Sequence, residues 1–190
     1  KPATLITRMA DLAVKKAKEL DRLSYIALDA YYSAGPLFTT LKNAVNEKGQ
    51  RWLHVIVRAK DNYVAYMHHE QCRIRIDERK KVILSDIFDF PQLFTPAEIS
   101  LYGETRTVRY YCEDFLWKPI KDMIRFVCVI DGDGRYILMS SDLELTATEI
   151  ISIYSYRFKI EVMFMGLKHL LGVFRYHFWT MGLPKLGRWN

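Results

Sequence analysis

Cysteine is scarce: Cys72, Cys112 and Cys128 are the only three in 190 residues, an odd number without the paired spacing of a zinc site. A disulfide framework and a thiolate metal centre are therefore excluded, and free thiols in a reducing compartment are expected. Long apolar runs are missing as well. No stretch approaches the ~18 residues that cross a bilayer, and the polar, amphipathic N-terminal stretch carries no mark of a secretory leader. The five histidines, His54, His68, His69, His169 and His177, form neither an HExxH motif nor an i, i+4 pair, so all five read as non-ligands. No internal repeat and no low-complexity tract interrupts the chain.

What is present is core-forming material and positive charge. Half of the residues are hydrophobic and 14% are aromatic, enough for one domain, or one domain with an insertion. The formal charge is +6 and the isoelectric point is near 9.2, which favours a polyanionic partner.

In chain order, residues 3 to about 20 read as an amphipathic helix with Leu5, Ile6, Met9, Leu12, Ala13 and Leu20 as its apolar stripe. Residues 24–29, SYIALD, make a short strand ending at Asp29. Gly35-Pro36 opens a helix running to about Glu47, and residues 52–60 read as a fully buried strand. Strand, helix, strand implies a right-handed parallel crossover. Sites in such sheets form beyond the carboxyl ends of strands, where Asp29 stands. An aspartate just after a strand is also ordinary turn and capping chemistry.

From residue 63 the α/β rhythm breaks. Period-2 strands are expected at 63–66, 82–85, 106–112, 123–130 and 135–141, with a short helix near 97–102. Asp131-Gly132-Asp133-Gly134 reads as a hairpin turn, since the closing Glu of a calcium loop is missing. Thr146 or Thr148 can cap a long helix that runs through Leu170 and Leu171, with Gly172 ending or bending it. Beyond it, Arg175, His177 and four aromatics in 173–179 suit either nucleic-acid contact or a cover over the core.

The most informative stretch is Tyr154 to Lys168. On one uninterrupted helix, Tyr154, Arg157, Glu161 and Lys168 fall within an arc of roughly 60°. The residues around them are mostly apolar, so the helix should be largely buried. Charges on a buried stripe are costly unless paired or in use. An internal ion-pair ladder is the plain reading.

The spacing Tyr, two residues, Arg, three residues, Glu, six residues, Lys resembles the signature of a large group of bacterial insertion-sequence transposases. These carry the last carboxylate of a DDE metal site on an RNase H-like fold. The run LDAYYSAGPLF, followed by an apolar strand ending in Arg58-Ala59-Lys60, is similar to the second-aspartate region of the same group. The resemblance implies an α/β, RNase H-like core in residues 1–62, incomplete at its N-terminus. It also implies a β-rich insertion over 63–141, a signature helix in 142–178 that completes the core, and a truncated tail at 179–190.

By the same resemblance, Asp29 and Glu161 are catalytic metal ligands, with two Mg²⁺ ions in the complete site and Mn²⁺ as a substitute. Tyr154, Arg157 and Lys168 hold phosphates of double-stranded DNA at transposon ends and target. Members of the group often carry Trp after the Arg, where this chain has Phe158. The first aspartate of the triad has no counterpart, since Asp11 lies inside a helix and Asp21 precedes the strand. The expected activity is metal-dependent cleavage and strand transfer by the complete enzyme, with the fragment alone inactive. A dimer in a synaptic complex, a bacterial cytoplasmic location at the nucleoid and no membrane association are expected.

Three alternatives stay open. Asp142, 19 residues before Glu161, competes with Asp29 as the second carboxylate, in this enzyme or in an unrelated α/β nuclease. The chain can be a non-catalytic DNA-binding remnant. It can also be a structural domain in which the stripe is only an ion-pair ladder.

Overall fold

The computed structural model describes residues 4–67, 81–101 and 103–170. Its elements are α1 (Leu5–Leu20), β1 (Ser24–Leu28), α2 (Gly35–Asn43), β2 (Leu53–Arg58), β3 (Val64–Tyr66), β4 (Lys81–Ile83), β5 (Thr95–Leu101), β6 (Glu104–Trp117), β7 (Asp122–Asp131), β8 (Gly134–Ser140), α3 (Ala147–Ser155) and α4 (Phe158–Leu170). The architecture is mixed α/β around a mostly open sheet. Residues Lys1–Arg157 form one compact unit and Phe158–Asn190 a second, of which α4 is described. The basic and aromatic run at 173–179, the expected helix end at Gly172, and Cys72, His68 and His69 lie outside the described residues.

The sheet has eight strands in the order β1-β2-β8-β7-β6-β3-β4, with β5 also paired to β6. β1 and β2 are parallel, Ser24 opposite Leu53 and Leu28 opposite Val57. The remaining pairings are antiparallel. Strands from the segment expected as an insertion therefore extend the same sheet, beginning with β8 alongside β2.

Alternation along β2 divides the core. Val55 and Val57 face α1 and α2, where Ala10, Ala17, Leu37, Phe38 and Leu41 are buried against them. Ile56 faces the other way, toward Ile150 and Ile151 of α3 and Ile99 and Leu101 of β5. All three β2 residues are fully buried. Each such side chain contributes about 1.5–3 kcal/mol of transfer free energy. This is why the middle of β2 is a continuous apolar run, Val55-Ile56-Val57, rather than an alternating one.

Three expectations need correction. The helix expected near 97–102 is strand β5. Its buried positions, Ile99 and Leu101, alternate with exposed ones, and Pro96 sits on the side of the sheet where β5 is an outer strand. α2 stops at Asn43 rather than near Glu47. The Asn46 side chain accepts from the amides of Lys48 and Gln50, and this local turn outcompetes a further helical turn.

The third correction concerns the signature segment. Thr146 caps α3 through a capping box with Glu149, as its sequence suggests. The helix is then interrupted: Tyr156 and Arg157 form a turn, with i→i+3 bonds from Tyr156 N to Ile153 O and from Arg157 N to Tyr154 O. The four-residue arc drawn on one continuous helix therefore applies only within each piece. α4 has no buried residue, against the burial expected for it. Its apolar side chains are spread round the helix instead of forming one face, so composition announced a need for cover without saying where.

Candidate functional site

Asp29 follows the last residue of β1, at the carboxyl end of the parallel pair. Its carboxylate Oδ1 accepts from the Ala30 amide at 2.6 Å and caps a 3-10 turn over Ala30–Tyr32. The plain capping role is thus present. It leaves the side chain exposed at the strand end.

Across the sheet face from Asp29 stands α3. Tyr154, in its last turn, is half-buried and packs on Tyr136 of β8 with ring centroids 6.5 Å apart. The Arg157 guanidinium lies 5.8 Å above the Tyr154 ring, in cation–π range. Burial raises the Tyr154 hydroxyl above its ordinary pKa. The Arg157 charge and hydrogen bond pull it down, the Asp29 charge pushes it up and the Arg58 charge lowers it. Those interactions put one carboxylate and two guanidinium groups within electrostatic reach of a single phenol. Alternation explains Arg58. Val57 points toward α1 and α2, so Arg58, like Ile56, is on the α3 face, at the exposed end of β2.

The first unit therefore brings Asp29, Tyr154 and Arg157 into one neighbourhood. It adds Arg58, to which sequence reasoning assigned no role. Its signal was legible: a cation two residues past a buried Ile on a strand occupies the same face one step nearer the carboxyl end. Glu161 and Lys168 belong to α4 in the second unit. Glu161 lies in its first turn and Lys168 in its last, about 20° apart on an ideal helix and suited in sign to the two ends of the dipole.

Asp142 occupies a different place. It is 8% exposed, and both of its oxygens are committed. The Tyr25 hydroxyl donates to Oδ2 at 2.6 Å and the Glu144 amide to Oδ1 at 2.9 Å. Burial alone would raise its pKa. The Tyr25 and Glu144 hydrogen bonds and the charges of His54 and Arg51 outweigh burial and hold it below the usual carboxylate value. Tyr25 is the second residue of β1, so Asp142 is anchored some four residues, about 13 Å, along the strand from Asp29. Asp142 closes the loop between β8 and α3; it does not share a site with Asp29.

A hard divalent cation takes oxygen ligands, which suits an exposed carboxylate. Among the described residues, however, no three His, Cys, Asp or Glu side chains are grouped to hold a metal ion. Asp29 alone is an incomplete donor set. No described helix is long and apolar enough to cross a membrane. No protein-family model matches the chain, and no curated protein matches it closely enough to count as a relative.

Proposed function

We propose that this chain is part of the catalytic domain of a DDE transposase with an RNase H-like core, which cuts and joins DNA at insertion-sequence ends. The observation that supports the reading is electrostatic: the charges of Arg157, Asp29 and Arg58 all act on the Tyr154 hydroxyl, and Arg157 also bonds it.

In this reading Asp29 and Glu161 are ligands of Mg²⁺, whose chemistry is to activate an attacking hydroxyl and steady the leaving oxygen of a phosphodiester. The work of the chain's own residues is binding. Arg157 and Arg58 grip phosphate with paired hydrogen bonds, Lys168 adds a point charge, and the Tyr154 hydroxyl donates to the same backbone. Double-stranded DNA is the partner, in agreement with the +6 charge.

In this reading a first carboxylate would come from a further strand beside β1. β1 is the end strand of the described sheet, and α1 packs on the same face as α2. A right-handed crossover through α1 would set a preceding parallel strand against the open edge of β1. A cavity of about 330 Å³, lined by Met9, Leu12, Leu20, Tyr25 and Ile26, lies between α1 and that edge.

The test uses Asp29→Asn and Asp142→Asn in a polypeptide that includes such a strand. Asp29→Asn should abolish Mg²⁺-dependent strand cleavage and Asp142→Asn should spare it; the reverse pattern refutes the assignment. The 190-residue chain alone should bind duplex DNA in a salt-sensitive manner without cutting it. Cleavage by that chain would overturn the need for a further carboxylate.

A further inference from the structure

We propose that the open edge of β1 is closed by a second copy of this chain, through a two-fold antiparallel ladder centred on Ile26. Three of the described strands lie at edges of the sheet, and two of them are protected. β4 is three residues long and carries the exposed Lys81, and β5 holds Pro96 and the exposed Glu98. Short length, charge and proline are the devices that keep an edge from pairing with another chain. β1, Ser24–Leu28, has five residues and neither charge nor proline.

Register identifies the backbone groups left over. The Ser24 amide donates to the Trp52 carbonyl at 3.1 Å, and Ser24 stands level with Leu53 of β2. In a parallel ladder every second residue turns its amide and carbonyl to the neighbouring strand. Ser24, Ile26 and Leu28 therefore face β2, while Tyr25 and Ala27 turn theirs to the open side. Val55 of β2 agrees with this register: its amide donates to the Ser141 Oγ and its carbonyl accepts from the Ser141 amide, each at 3.0 Å and away from β1. An antiparallel copy of β1, with Ile26 opposite its own mate, sets Tyr25 of each copy against Ala27 of the other. Each such pair exchanges two bonds, so the four outward groups of each copy are all satisfied.

The side chains favour the same occupant. Leu12 and Leu20, which line the cavity between α1 and β1 together with Ile26, are 59% and 55% exposed, and Leu23, just before β1, is 51% exposed. A two-fold axis at Ile26 brings both isoleucines and both cavities together, so apolar surface meets apolar surface. At each end of the ladder the exposed Asp29 of one copy comes opposite Leu23 of the other, next to the exposed Arg22, a pairing of opposite charge. The inference goes beyond the function proposed above and does not depend on it. A further strand beside β1 would claim the same four groups, so strand and second copy exclude each other.

The experiment is sedimentation velocity on the 190-residue chain, with amide hydrogen exchange read at low and high protein concentration. A concentration-dependent dimer of the 22.4 kDa chain is expected. The Tyr25 and Ala27 amides gain protection only as it forms, whereas those of Ile26 and Leu28, bonded to β2, are protected throughout. Ala27→Pro removes an amide that makes no bond within the sheet, so the fold stands, and it deletes two of the four bonds between copies. The dissociation constant should rise by about tenfold or more. A chain that stays monomeric at high micromolar concentration refutes the proposal. A dimer whose Tyr25 and Ala27 amides exchange as fast as in the monomer refutes it too, because another surface then joins the copies. That wild-type exchange pattern decides the matter should Ala27→Pro fail to fold. Protection of both amides in a monomer, at every concentration, would show the edge filled from within one chain, and the proposal falls.

Discussion

Arg125 gives the sharpest test of how α3 is held. It lies on β7 opposite Asp114 of β6 and meets it with a two-pronged contact, Nε to Oδ1 and Nη2 to Oδ2, each at 2.8 Å. Its third nitrogen, Nη1, donates to the Leu145 carbonyl at 2.7 Å, immediately before the cap of α3. The Asp114 hydrogen bond raises the Arg125 pKa further, so the fork stays charged at any working pH. Arg125→Met removes all three bonds and leaves Asp114 and the Leu145 carbonyl without this partner. Breaking a fully buried pair costs 3–5 kcal/mol; with 21% and 22% of the two side chains exposed, water offsets part of that, and about 3 kcal/mol is expected. For a chain of this size that is a fall of roughly 6–12 °C in melting temperature.

The assay is urea denaturation followed by tryptophan fluorescence, on Arg125→Met, Asp114→Leu and the double variant. The double variant should recover much of the loss, because an apolar pair replaces a stranded charge, with a coupling of about 1–2 kcal/mol. A single-variant loss below about 1 kcal/mol, or strict additivity, would refute the view that this fork anchors α3.

Further expectations concern caps, glycines and pH. Thr146→Ala removes the capping box of α3 and should cost about 1 kcal/mol by the same denaturation assay. Gly35→Ala forces a Cβ against Pro119 and should destabilise by about 1 kcal/mol. Gly166→Ala, which meets nothing within 4 Å, should raise helicity by circular dichroism instead. Burial lowers the His54 pKa, and Asp142 is also held below its ordinary value. A depressed folded pKa gives stability that is complete above the unfolded value and lost as pH falls through the folded one. From ordinary values of 6.5 and 3.8, acidification should weaken the fold in two stages, first below about pH 6.5 and then below about pH 4. His54→Gln should remove the first stage from a pH series of melting temperatures, and Asp142→Asn the second.

The elements of this protein follow from local chemistry along the chain. Val55, Ile56 and Val57 of β2 are consecutively apolar because both faces of the strand are covered there, the Asp131–Gly134 turn is written in its residues, and Thr146 with Glu149 announces the start of α3. Asp29 could be placed at a strand end for the same reason. Where locality stops, so does legibility. The turn at Tyr156 and Arg157 breaks a segment whose residues would support an unbroken helix, and the residues of β5 read as a helix on their own, whereas pairing with β6 makes them a strand. On paper Asp142 competes with Asp29 and ranks lower, since a strand-to-helix turn uses aspartate for capping. What the intervals do not record is that Tyr25 bonds Asp142 near the start of β1, while Asp29 stands exposed beyond its end. Hydrogen bonds and charges act over a few ångströms of space, and which residues come within that distance is decided by strand order and face, which no interval along the chain records.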